Sequence, residues 1–188
     1  MEYLYKPYIY GKGLEIFQGS QTKVTKQLMN EILDTILIKK CLVNDIHTIV
    51  NKYRNIILNK QITDPSLITI IKKVGRIPES YKNLPIHVKL ALDRKEKHGE
   101  FFYTSMRVPF IVLKEKPLKI IHSSEYTGNY DEKYYWYKQV YPPTYRLLKI
   151  VFQNEDWDKY FSIDKYLQTK LGILLNFNNN KMSINIIN

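Results

Sequence analysis

The chain has 188 residues and a mass of 22.5 kDa, enough for one large domain or two small ones with a self-sustaining core. Its net charge of +11 and pI near 9.5 point to an anionic partner, nucleic acid ahead of an acidic membrane surface. A hydrophobic fraction of 44% with only seven glycines and eight prolines excludes a disordered, collagen-like or low-complexity chain. Tyrosine is in excess, with 16 Tyr against seven Phe and two Trp, and a tyrosine packs an apolar ring while leaving a hydroxyl for water, phosphate or backbone. The one cysteine, Cys41, excludes an internal disulfide framework and suits a reducing compartment. No apolar run has the length of a membrane span and Met1-Glu2-Tyr3 opens no secretory signal, so a cytoplasmic location is expected.

Residues 3 to 17, rich in Tyr and Ile and punctuated by Gly11 and Gly13, read as short strands around a tight turn. A helix is predicted from about 22 to 40, with Val24, Leu28, Ile32, Leu33, Ile36 and Leu37 on one face and Ser20 or Thr22 as N-cap. A second helix, capped by Asn44 or Asp45 and carrying Ile46, Ile49, Val50, Tyr53 and Ile57, ends at Asn59-Lys60 and pairs with the first as a hairpin. The β-branched run from Leu67 to Val74 predicts a strand entering the loop Gly75-Arg76-Ile77-Pro78, and a third helix follows from about 84 to 97. Residues 100 to 113 read as one or two strands with Pro109 implying an edge or bulge, and 116 to 128 as an irregular link. From Asp131 to about Phe152 the spacing is helical, with a kink required at Pro142-Pro143. An acidic turn at 154 to 158 leads to a last helix near 162 to 175 and a polar tail.

The fold class expected is therefore α+β and helix-rich: a helical hairpin, a small antiparallel sheet and a long Pro-kinked helix. Cys41 and the histidines, His47, His87, His98 and His122, have no zinc-ligand spacing, so no metal site is expected. Acidic residues fall in turns or on helix faces instead of strand ends, so no catalytic carboxylate pair and no cofactor is expected in this chain. Between Lys72 and Lys97, eight Lys and Arg residues face only three carboxylates, with Tyr81 and His87 among them. Cations interleaved with groups that hydrogen-bond phosphate describe a sequence-independent duplex footprint. A solvated helix face remains the alternative for that run, and a half-buried histidine bonded to backbone the alternative for His87.

The order of motifs carries a resemblance. Gly13-Leu14-Glu15-Ile16 precedes a Ser20-x-Thr22 helix start; Gly75-Arg76 and Tyr81-Lys82 precede Leu84-Pro85-Ile86-His87-Val88-Lys89-Leu90-Ala91-Leu92. Then come Met106-Arg107-Val108-Pro109-Phe110-Ile111-Val112, Tyr130-Asp131-x-x-Tyr134-Tyr135, Gln139-Val140-x-Pro142 and Arg146-Leu147-Leu148. Together, over roughly residues 12 to 152, this resembles the thumb region of family B DNA polymerases. The chain departs from that pattern in Lys138, where the family has Asn, in the second proline Pro143, and in Tyr5-Lys6-Pro7-Tyr8, a degenerate form of the family's K-K-x-Y. Nothing like the family's catalytic D-T-D turn occurs.

With Met1 opening the chain just before the thumb, the resemblance implies the small subunit of a split polymerase of archaeal or viral type. A larger subunit would carry exonuclease, palm and fingers, and with them the Mg2+ of catalysis. On this reading residues 1–19 dock on the palm of the partner, 20–160 form the thumb and 161–188 a C-terminal helix and tail. Lys12, Arg76, Lys82, His87, Lys89 and Arg107 are expected to grip double-stranded primer-template DNA, with Tyr81 and Tyr130 positioning that grip. Tyr3, Tyr5, Tyr8 and Tyr10 are the expected partner interface, where amphipathic rings suit burial between subunits. Gln168, Leu171, Leu174 and Leu175 resemble a box that binds the sliding clamp, with leucines where aromatics stand in relatives. The location implied is the nucleoid or other site of genome replication. The alternative is a standalone basic DNA-binding replication accessory protein.

Overall fold

The computed structural model describes residues 21–39 and 42–161. These fall into two compact units, one ending at Leu147 and the other beginning at Leu148. The fold is α+β and helix-rich with one small antiparallel sheet, as the sequence predicts.

In the first unit, helix α1 spans Lys23–Leu37 and helix α2 spans Val43–Leu58. Thr22 is the N-cap of α1, its hydroxyl accepting from the Thr25 amide at 3.4 Å. The cap of α2 differs from the prediction: Leu42 holds the cap position, and Asp45, three residues on, accepts from the Leu42 amide at 3.0 Å. A carboxylate in the first turn serves the orphan amides and the helix dipole as well as one at the cap would. The helices pack as a hairpin through Leu28, Ile32, Ile46, Val50 and Ile57, all fully buried. Across the hairpin Glu31 accepts from Lys52 Nζ at 3.0 Å and from Tyr53 Oη at 2.9 Å.

The sheet has three strands in the order β1 (Ile70–Lys73), β2 (Arg107–Leu113), β3 (Lys119–His122), antiparallel throughout. Helix α3, Ile86–His98, is closed by Gly99 at φ 67°, a left-handed conformation that glycine adopts without strain. It packs Val88 and Ala91 against Val74 and Val108, with Tyr81, Leu84, Phe102 and Met106 around them.

Two expectations for this region are corrected. Residues 116–128 are not an irregular link, because β3 lies inside them and its short mixed sequence hides the alternation. Pro109 does not mark an edge: β2 is the central strand, and Pro109 stands opposite Ile71 in the middle of the β1 pairing. Hydrogen-bonded pairs alternate along the ladder from Val74–Met106, which puts Pro109 at a non-bonded position toward β1. Its nitrogen faces the other side, where β3 has already ended at His122, opposite Phe110. The missing N–H therefore removes no ladder bond. The bulge exists, but just ahead of the strand: Ser105 (φ 77°) and Met106 together oppose Val74, with Ser105 N to Val74 O at 2.7 Å and Val74 N to Met106 O at 2.9 Å.

From Asp131 the chain is helical in three pieces: α4 (Glu132–Tyr134), a π-helical segment Tyr135–Val140, and α5 (Tyr141–Val151). The prolines predict the irregularity, and the structure places it as a widened turn just ahead of them. Pro143 offers no donor to the Gln139 carbonyl four residues back, and the Thr25 hydroxyl supplies one at 3.2 Å. Tyr135 and Trp136 are fully buried, Trp136 under the Arg54 guanidinium at 5.7 Å. In the second unit Trp157 Nε1 donates to Phe152 O at 3.3 Å, and helix α6, Asp158–Phe161, follows.

Candidate nucleic-acid interface

The basic residues sort by what surrounds them. Lys73 of β1 and Arg107 of β2 are direct cross-strand partners, both exposed. Strand alternation puts them on the face opposite the one that carries Val74 and Val108 beneath α3. Like charges directly opposite in a sheet repel, so this pair costs the free protein stability unless an anion bridges it. Among the described residues no carboxylate forms an ion pair with Lys72, Lys73, Arg76, Lys82, Lys89 or Arg107.

The loop leaving β1 is shaped by Tyr81. Its hydroxyl accepts from the Arg76 amide at 3.0 Å and lies 3.7 Å from where a Cβ on Gly75 would be. The ring packs on the α3 cluster. Tyr81 thus fixes the backbone that presents Arg76 and Lys82, both exposed.

His87, in the first turn of α3, is half-buried, hydrogen-bonded to the Lys73 backbone and stacked on Phe110 with ring centroids 6.5 Å apart. Burial holds its pKa below the ordinary imidazole value of 6.5, and the Lys72 charge lowers it further. Its backbone bond and its stacking link α3 to the sheet. Lys89 stands apart from this group, on a helix flank it shares with Asp93 and Glu96.

Tyr130 requires a correction. It is fully buried, its hydroxyl donating to Ile57 O at 2.8 Å, and desolvation pushes its pKa up to about 12. No duplex can touch it; it ties the segment before α4 to the end of α2. Lys12, Tyr3, Tyr5, Tyr8, Tyr10, Gln168, Leu171, Leu174 and Leu175 lie outside the described residues.

Sequence reasoning missed Lys73 as a site residue. It lay within the basic run, but its pairing with Arg107, 34 positions away, depends on the bulge that sets the register. Among the described residues no group of three His, Cys, Asp or Glu could hold a metal ion. None of their helices is long and apolar enough to cross a membrane.

No family model matches the chain. It is 25% identical over 153 residues to the DNA polymerase delta catalytic subunit of Glycine max, and 23% identical over 155 residues to that of Oryza sativa subsp. japonica. Each match covers 76% of this chain and 14% of the relative. Part of this chain is homologous to family B DNA polymerases. The fold agrees, since the family B DNA polymerase from the hyperthermophilic archaeon Pyrobaculum calidifontis superimposes with a TM-score of 0.54 at 21% identity, over 68% of this chain and 18% of that one. The chain thus spans about one seventh of the length of the curated relatives it matches.

Proposed function

We propose that this chain is the duplex-gripping, thumb-like small subunit of a split family B DNA polymerase, working in DNA replication beside a larger polypeptide that carries exonuclease, palm and fingers. The observation that carries the reading is the exposed Lys73–Arg107 pair, two cations opposite each other across the strands that form no ion pair with a carboxylate among the described residues, inside a region homologous to DNA polymerases. Arg76 and Lys82, on the loop that Tyr81 fixes, extend the cationic surface, and Lys89 adds a more distant contact. His87, neutral and braced, holds α3 on β1 rather than meeting phosphate. Each cation neutralises a backbone phosphate and releases condensed counterions, so the grip slides with the duplex without reading bases. In this reading Mg2+ and the chemistry of nucleotide addition belong to the larger subunit.

The Lys73→Ala, Arg107→Ala double variant tests the grip. The log-log salt dependence of duplex binding should flatten by about 2, roughly one for each lost phosphate contact. An unchanged slope overturns the assignment. Purification of the native protein tests the partnership: a stoichiometric polymerase chain supports it, and its absence with DNA binding intact favours the standalone accessory protein.

A further inference from the structure

We propose that Phe101 and Tyr103 form a stacking platform for unpaired nucleobases, which extends the nucleic-acid reading above from duplex backbone to single-stranded DNA. The loop between α3 and β2 reads EFFYTSM from Glu100 to Met106. Phe102 turns inward onto the Val74, Val88, Ala91 and Val108 cluster, while Phe101 and Tyr103 on either side of it are 89% and 60% exposed.

The loop is tied down along its length. Glu100 accepts from Arg94 Nε at 2.8 Å, Phe102 anchors the middle, the Tyr103 carbonyl accepts from Met106 N at 3.3 Å, and Ser105 N donates to Val74 O at 2.7 Å. Two large rings are therefore held out in water on a constrained backbone, so little ordering cost remains to be met on binding.

The charge around them selects the occupant. The bulge joins the loop to the strand end at Val74, next in sequence to Lys73 and two residues from Arg76, and leads directly into Arg107. Exposed rings on a loop that runs into cations without an ion pair among the described residues match a polynucleotide, whose bases stack and whose phosphates meet the cations. A paired duplex hides its base faces, so the fitting partner is an overhang, a frayed end or a single strand. Stacking is indifferent to base identity, in keeping with the sequence-independent contacts already inferred.

The test compares three DNAs at one salt concentration, using the full chain: a blunt duplex, the same duplex with an oligothymidine overhang, and the oligothymidine alone. The overhang should bind more tightly than the blunt duplex. Phe101→Ala with Tyr103→Ala should weaken the overhang and the single strand by about fivefold or more, with the blunt duplex and the salt slopes unchanged. Phe101→Trp and Tyr103→Phe should retain the preference, and leucine at both positions should lose it, which separates ring stacking from general apolar contact. Equal affinity of the native chain for blunt and overhanging DNA, or full binding by the leucine variant, overturns the proposal. Blunt-duplex binding without an overhang preference leaves the grip standing and removes the platform. Single-strand binding without duplex binding does the reverse, and no binding to any of the three DNAs removes both.

Discussion

The two ends of helix α3 meet positive charge in opposite surroundings. At its first turn His87 bonds to the Lys73 backbone, beside a Lys73–Arg107 pair that has no carboxylate partner among the described residues. At its far end Arg94 is gripped by both Glu100 and Glu125, and His98 lies 3.7 Å from Glu125. The mostly buried guanidinium donates to both carboxylates there, and its pKa is raised first by the hydrogen bond to Glu100. A similar closed network joins Lys60 and Lys114 to the nearly buried Glu132. Eight cations in 26 residues look uniform along the sequence, yet Arg94 is an internal fastening, while the other seven form no ion pair among the described residues. Net charge proposes a class of ligand, and the pattern of neutralisation says where that ligand sits.

The contrast can be broken most forcefully at its closed end. Arg94→Ala strands two carboxylates and frees the Glu100 end of the loop, so it should cost about 2 kcal/mol in denaturant unfolding. The salt slope of duplex binding should stay unchanged in the same variant.

A smaller effect is expected from pH. Burial holds His87 and His122 below the ordinary imidazole value of 6.5, so the folded state resists their protonation. Stability should then decline as pH falls below that value. For Glu132 burial raises the pKa, but the hydrogen bond from Lys114 and the charges of Lys114 and Lys60 outweigh it and leave the group below 4.5. Its contribution is fully present above 4.5 and should be lost as pH falls through the lowered value. Denaturation midpoints across this range should show both declines, and Glu132→Gln should flatten the acidic one alone.

At the open end the effect on stability should be slight and of opposite sign. Arg107→Ala relieves a like-charge pair, so stability should change by no more than about 0.5 kcal/mol, toward the more stable. Loss of more than that would mean that the pair is a fastening after all. Smallest of all, Lys89→Ala should lower the salt slope by less than about 1, because Asp93 and Glu96 share its flank and keep phosphate at a distance.

Much of this architecture was legible in the sequence because it rests on local rules. Helical spacing located α1, α2 and α3, Thr22 is a cap by chemistry, and the prolines announced a break in the long helix. What escaped prediction depends on tertiary pairing. The third strand is four residues long and forms only because β2 offers it a free edge. Pro109 reads as an edge residue until the end of β3 is known. Tyr130 looks like any other tyrosine of a basic protein, and only the Ile57 carbonyl shows that its hydroxyl is spent in the core. The Lys73–Arg107 pairing was hidden for a similar reason, since one residue of slip at the Ser105 bulge would send the two side chains to opposite faces.

The Thr25 hydroxyl on the Gln139 carbonyl carries an implication for descent. Pro143 removes the amide that would ordinarily serve that carbonyl, and a residue 118 positions earlier makes good the loss while sharing a 2.8 Å contact with the cap hydroxyl of Thr22. Relatives that keep a proline at 143 are therefore constrained to keep a hydroxyl at 25, and those that lose the proline are released from it. The two sites should drift as one inherited unit, the first helix preserving the record of a break in the long one.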